Sequence, residues 1–211
     1  MDRALIHRIA TSYAPGSARP AVATLLALDA QFAKFVFTAS EPILAQMRLA
    51  WWRDRFAQPP ADWPIGNPLL TELAQWGAEA ARLGELVDGW EALLANAPPH
   101  PSDFATYRQG RAAGWQALSR HLGLAIDDSA IERASARWSM ADAAASFADP
   151  EARDAARSEG LTLERPPRLP RALRSLTVLG VIGRRSLESG TLPLSRPGDL
   201  LSVLRHGLTG R

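Results

Sequence analysis

The sequence predicts an all-α helical bundle. Apolar residues recur at three- and four-residue spacing through most of the chain, and no stretch alternates β-branched and polar residues over strand length. Turn phrases such as "APGSARP", "QPPADWPIGNP" and "RPPRLP" cut the rest into helix-sized pieces. With 211 residues, 46% of them hydrophobic, the chain is long enough to bury a sizeable core and is expected to form a single domain over 1–211.

The first helix is expected over Arg3–Tyr13 and the second over Pro20–Thr38, with proline in its first turn. On the second, Val22, Leu25, Leu26, Phe32, Ala33 and Val36 form one apolar arc, and Asp29 falls inside it. The third reads "SEPILAQMRLAWWRDRF", with Ser40 as N-cap and Glu41 and Pro42 in the first turn. Neighbouring positions on a helix point about 100° apart, so Trp51 and Trp52 cannot share a face. Ile43, Leu44, Met47, Ala50 and Trp51 make one apolar side, and Ala45, Leu49, Trp52 and Phe56 the other. This predicts a helix packed on two sides, with Arg48 and Arg55 in the narrow seam.

Further helices are expected at Leu69–Leu83, Leu86–Asn96, Ser102–Leu122 (capped by Ser102 or Asp103), Asp128–Ala148, Arg171–Ser189 and Asp199–Leu208. In the helix from Asp128, Asp142 sits among Ile131, Ala134, Ser135, Trp138 and Ala145. Gly110 and Gly114, four apart, are expected to let helices approach closely. Asp127 or Asp128 serves as a helix cap rather than as part of an acidic motif.

A buried charge costs several kcal/mol (an order-of-magnitude figure) unless it is paired and hydrogen-bonded. Each seam arginine therefore needs a core-facing carboxylate, and Asp29 is the expected partner of Arg48. Asp29 and Asp142 read either as core carboxylates paired with arginine or as remnants of metal sites. Arg48 and Arg55 read as structural ion pairs or as a clasp for a diphosphate. Tyr107, Arg108 and Arg111 run along one helix, where the two arginines are further phosphate candidates or partners for Asp29 or Asp142.

Composition narrows the function classes. The chain has no cysteine, which excludes disulfides, zinc–thiolate sites and thiol catalysis and fits a reducing compartment. Its four histidines, His7, His100, His121 and His206, lack metal-ligand spacing. Net charge is +2, so no global field invites nucleic acid. The charge is uneven, however: residues 165–211 carry nine arginines against Glu188 and Asp199. This basic section is expected either to solvate terminal helices or to touch an anionic membrane. The opening Met-Asp-Arg lacks a signal-peptide pattern, and Ala21–Phe37 reads as too short and too interrupted to span a bilayer. The expected location is cytoplasmic, with peripheral contact at the inner membrane face as an option.

"LLALDAQFAKFVFTASEPILAQMRLAWWRDRF" and "LGELVDGWEALLANAPPHPSDFATYRQGRAAGWQALSRHLG" resemble the squalene/phytoene synthase family, and the likeness runs over roughly residues 20–190. The resemblance implies the isoprenoid synthase fold in a short version, with a central cavity walled by helices. It also implies two aspartate-rich motifs holding Mg²⁺ ions that bridge a prenyl diphosphate. The sequence departs from that pattern at both motifs. Asp29 has Phe32 and Ala33 at its i+3 and i+4 positions, and Asp142 has Ser146 and Pro150 four and eight residues on. Asp149, Glu151 and Asp154 lie nearby, but no two of these carboxylates are four apart, and Pro150 is expected to interrupt the helix.

The chain thus resembles a degenerate branch of the family, similar to its complex I assembly factor-like members. The resemblance implies a non-catalytic protein, with no cofactor, that binds a partner protein or an isoprenoid- or lipid-type ligand. The alternative is a prenyl transferase that joins two prenyl diphosphates head to head with a reduced set of Mg²⁺ ligands.

Overall fold

The structure, a computed structural model, describes residues 2–195 and Asp199. Among them are nine α-helices and no strand: α1 (Arg3–Ser12), α2 (Arg19–Thr38), α3 (Pro42–Phe56), α4 (Pro68–Ala74), α5 (Leu83–Ala92), α6 (Pro101–His121), α7 (Asp128–Ser146), α8 (Pro150–Thr162) and α9 (Arg174–Ser189). The expected helix at Asp199–Leu208 lies outside the described residues, apart from Asp199. The fold is all-α. It divides into two compact units, one running from Pro20 to Ile126, the other joining the residues up to Arg19 to those from Asp127 onward.

In the Pro20–Ile126 unit, α5 and α6 pack backbone to backbone. A Cβ on Gly110 would stand 2.4 Å from the Glu85 carbonyl oxygen and 2.7 Å from the Gly89 Cα, so only a missing side chain permits this approach. His100 precedes α6 as its N-cap, in place of Ser102 or Asp103. Asp103 still works at this end, since its carboxylate accepts from the His100 backbone N–H at 2.7 Å and the Asn96 amide at 2.8 Å.

α3 begins one residue later than expected, with Glu41 as N-cap, no side-chain capping bond and Pro42 in the first turn. Its buried stripe is Ala45, Leu49, Trp52 and Phe56. Aromatic rings continue inward from there, with Phe32 5.7 Å from Trp52, Phe56 5.6 Å from Trp52, and Trp63 5.9 Å from Phe56. The second apolar side is not packed. Met47 is 64% exposed, Ile43 53% and Trp51 39%. Periodicity located both faces but could not tell which one meets a neighbour. Replacing Met47 with Gln is therefore expected to change stability by no more than about 0.5 kcal/mol, whereas Trp52→Ala should cost about 3–5 kcal/mol. Urea unfolding of the two variants checks the contrast, and similar losses in both would show that the outer face is packed.

α2 is the one described helix long and apolar enough, by length and composition, to cross a membrane, which corrects the expectation that this stretch is too short. Half of the qualifying stretch is buried inside the protein.

In the other unit, α9 lies close against α7. A Cβ on Gly183 would stand 2.8 Å from both the Arg137 carbonyl oxygen and the Trp138 Cα. α8 corrects the sequence reading, which took Pro150 as an interruption. Asp149 instead caps the helix, accepting from the Ala152 N–H at 2.8 Å, and Pro150 occupies the first turn, where its missing N–H costs nothing. Gly160 of α8 leaves room for Leu187 and Met140, whose side chains a Cβ there would meet at 2.8–2.9 Å.

Candidate functional site: two carboxylates held by arginine

Asp29 sits midway along α2 and is 4% exposed. Its Oδ1 accepts from the Trp90 indole N–H at 2.9 Å, and its Oδ2 accepts from the Arg111 guanidinium. Arg111 is 3% exposed and also donates to the Tyr107 hydroxyl at 2.9 Å. Its guanidinium carbon lies 5.3 Å from the Trp90 ring centroid and 5.5 Å from that of Tyr107, while the two rings meet edge to face at 5.0 Å. Tyr107 and Trp90 are completely buried. Burial strengthens each of these bonds and would make any missing one costly, so the four side chains act as a unit. α2 supplies the acid, α5 the indole, and α6 both Tyr107 and Arg111, four apart on one face.

The partner of Asp29 is therefore Arg111 and not Arg48. Arg48 is exposed, with its guanidinium carbon 5.6 Å from the Phe35 ring centroid. Arg55, half-buried, lies 5.7 Å from the ring of Trp51, and its Nε is buried without a hydrogen-bond partner. Neither makes an ion pair with a carboxylate among the described residues. For Arg48 the expected pairing fails because the Trp51 side of α3 faces outward, where an arginine needs no carboxylate; Arg55 packs on Trp51 instead. The arginine of this helix that does pair is Arg53, which donates to Asp88 at 2.7 Å and also reaches Glu91. Arg108 is half-buried on α6, next to the members of the Asp29 group in sequence.

Asp142, fully buried on α7, forms a second centre within its own unit. Its Oδ1 accepts from Arg3 Nε at 3.1 Å and Nη2 at 2.9 Å. The same Nη2 donates to Ser146 Oγ at 2.8 Å, and that hydroxyl donates to the Asp142 carbonyl at 2.6 Å. Ser146, one helical turn after Asp142, thus helps to hold the arginine. Nearby, His7 of α1 meets the Trp138 ring edge to face at 6.4 Å. In the Pro20–Ile126 unit His121 stacks on Trp76 at 5.1 Å, and burial there lowers its pKa from the ordinary histidine value.

Two members of these centres escaped the sequence reading. Trp90 carried a signal, because a buried indole needs an acceptor for its N–H. Arg3 carried none, lying 139 residues from its partner.

Magnesium requires several oxygen ligands, ordinarily including carboxylates free of competing donors. Each aspartate here already accepts from a guanidinium. Among the described residues, no group of three or more His, Asp or Glu side chains gathers to hold a metal ion. The residues present do not fit a pair of diphosphate-bridging magnesium ions.

Fold and site together define an all-α protein whose helices carry single, arginine-held acids in place of acidic clusters. Residues 8–109 match the family model described as squalene/phytoene synthase, so over that stretch the chain is similar to that family. The all-α architecture is consistent with the isoprenoid synthase-like fold. The match covers a little under half of the chain. It includes Asp29, Arg48, Arg55, Tyr107 and Arg108, and stops short of Arg111 and Asp142. No curated protein and no solved structure matches the chain.

Proposed function

We propose that this squalene/phytoene synthase-like protein is non-catalytic and acts by binding, either to a partner protein in an assembly role or to an isoprenoid- or lipid-type ligand. The observation that carries this reading is the Asp29 group: both carboxylate oxygens accept hydrogen bonds, from Arg111 and Trp90, in a buried site. A carboxylate so engaged would have to release an arginine before it could ligate magnesium, leaving that cation buried and unpaired. Asp29 is also the only acidic residue of α2. The proposed location is cytoplasmic, with peripheral contact at the inner membrane face, where the arginine excess of residues 165–211 favours anionic lipid.

Incubation of the full chain with prenyl diphosphates and Mg²⁺ tests the reading. Pyrophosphate release is expected to stay at the protein-free background. Release above background that disappears in Asp29→Asn or Asp142→Asn would establish instead a prenyl transferase with a reduced ligand set.

A further inference from the structure

A pocket of about 730 Å³ opens between α7 and α9, with the segment from Arg165 to Leu169 as its third wall. It lies within one compact unit and shares no residue with the Asp29 or Asp142 centre. Its volume falls within the range of small-molecule sites.

Its charge is one-sided. Arg137, Arg165, Arg168 and Arg184 line it, against one carboxylate, Glu188. Two of these cations are committed in part. Arg137 donates to the Leu163 carbonyl at 2.7 Å, tying the third wall to α7, and Arg184 reaches Glu188 across one helical turn at 3.3 Å. Arg165 and Arg168 are exposed, and neither guanidinium donates a hydrogen bond or pairs with a carboxylate among the described residues. Core stability gives no reason for two uncommitted guanidiniums at the mouth of one pocket.

Between the cations the lining turns apolar, with buried Ala134 on α7 and Val181 on α9. Gly180 keeps side-chain bulk out of the floor, since a Cβ there would press to 3.3 Å on the Ala134 carbonyl oxygen. Pro166 and Pro167 stiffen the third wall, so little chain ordering opposes binding.

We infer that this pocket binds an amphiphilic anion, a phosphate-bearing headgroup joined to an apolar chain. Four guanidiniums against one carboxylate suit a doubly charged phosphate monoester better than a singly charged carboxylate, and the planar fork of arginine matches phosphate oxygens. The apolar chain lies along Ala134 and Val181. The inference deepens the binding reading above and rests on it for the ligand class, but the two fail separately: pyrophosphate release would overturn the non-catalytic reading without bearing on this pocket.

The test uses the full chain at physiological salt with decyl phosphate below its micelle-forming concentration, and with inorganic phosphate and decyl glucoside as controls. A second arm measures sedimentation with phosphatidylcholine vesicles with or without phosphatidic acid. Decyl phosphate is expected to bind at least about tenfold tighter than either control, since both ends of the ligand contribute. The double variant Arg165→Gln/Arg168→Gln should weaken it about tenfold or more. Glu188→Gln should tighten it about threefold by removing a like charge, a gain that damage to the fold cannot mimic. Capture only on vesicles containing phosphatidic acid, abolished in the double variant, would uphold the inference and assign the headgroup to a membrane lipid. No binding in either arm, or binding that the double variant leaves unchanged, overturns it.

Discussion

Arg111→Met is expected to destabilise the protein by about 3–5 kcal/mol, because it strands a buried carboxylate. Asp29 would keep the Trp90 N–H but lose its cation, and the Tyr107 hydroxyl would lose a donor. The cost should fall largely on the charge itself. Adding Asp29→Asn, which keeps an acceptor for Trp90, is therefore expected to recover more than half of the loss. Urea unfolding of the wild type, both single variants and the double variant, read by far-UV circular dichroism, gives the coupling between the two sites. A double variant as unstable as Arg111→Met would show that the arginine matters for its packing between aromatic rings and not for its charge.

Gly110→Ala should also cost stability, by about 1–3 kcal/mol, although alanine favours a helix by about 1 kcal/mol over glycine. The added methyl would fall on backbone atoms, the Glu85 oxygen and the Gly89 Cα, which cannot rotate away. α5 and α6 would have to separate, loosening Trp90 and Arg111 together. Gly84, also in α5, has open space where its Cβ would lie. Gly84→Ala should raise stability by about 0.4–1 kcal/mol. Thermal unfolding of the two variants should shift in opposite directions, and a Gly110→Ala protein as stable as the wild type would show that the crossing can relax.

The helices were largely legible in the sequence because period and punctuation are local signals. Asp29 and Asp142 were legible as buried acids because each interrupts an apolar arc. Their partners were not, since helical periodicity places a residue on a face but does not say which helix that face meets. Arg48 and Arg111 were both reasonable partners for Asp29. The choice depended on α3 turning its Trp51 side outward, which two equally apolar faces could not reveal. Pro150 misled for a different reason. Proline breaks a helix from within and starts one at its first turn, and only the preceding Asp149 distinguishes the two cases. The basic pocket lay beyond local reading, because its arginines come from α7, α9 and an extended segment.

The Asp29 group also bears on how the chain is made. Its acid, indole and guanidinium are separated by 61 and 82 positions along the chain. While the polypeptide emerges from the ribosome, α2 must wait as an apolar helix with an unneutralised acid until Arg111, midway along α6, has left the exit tunnel. A nascent chain arrested before that point would hold the Asp29 carboxylate without its guanidinium and leave the apolar arc of α2 uncovered by α6.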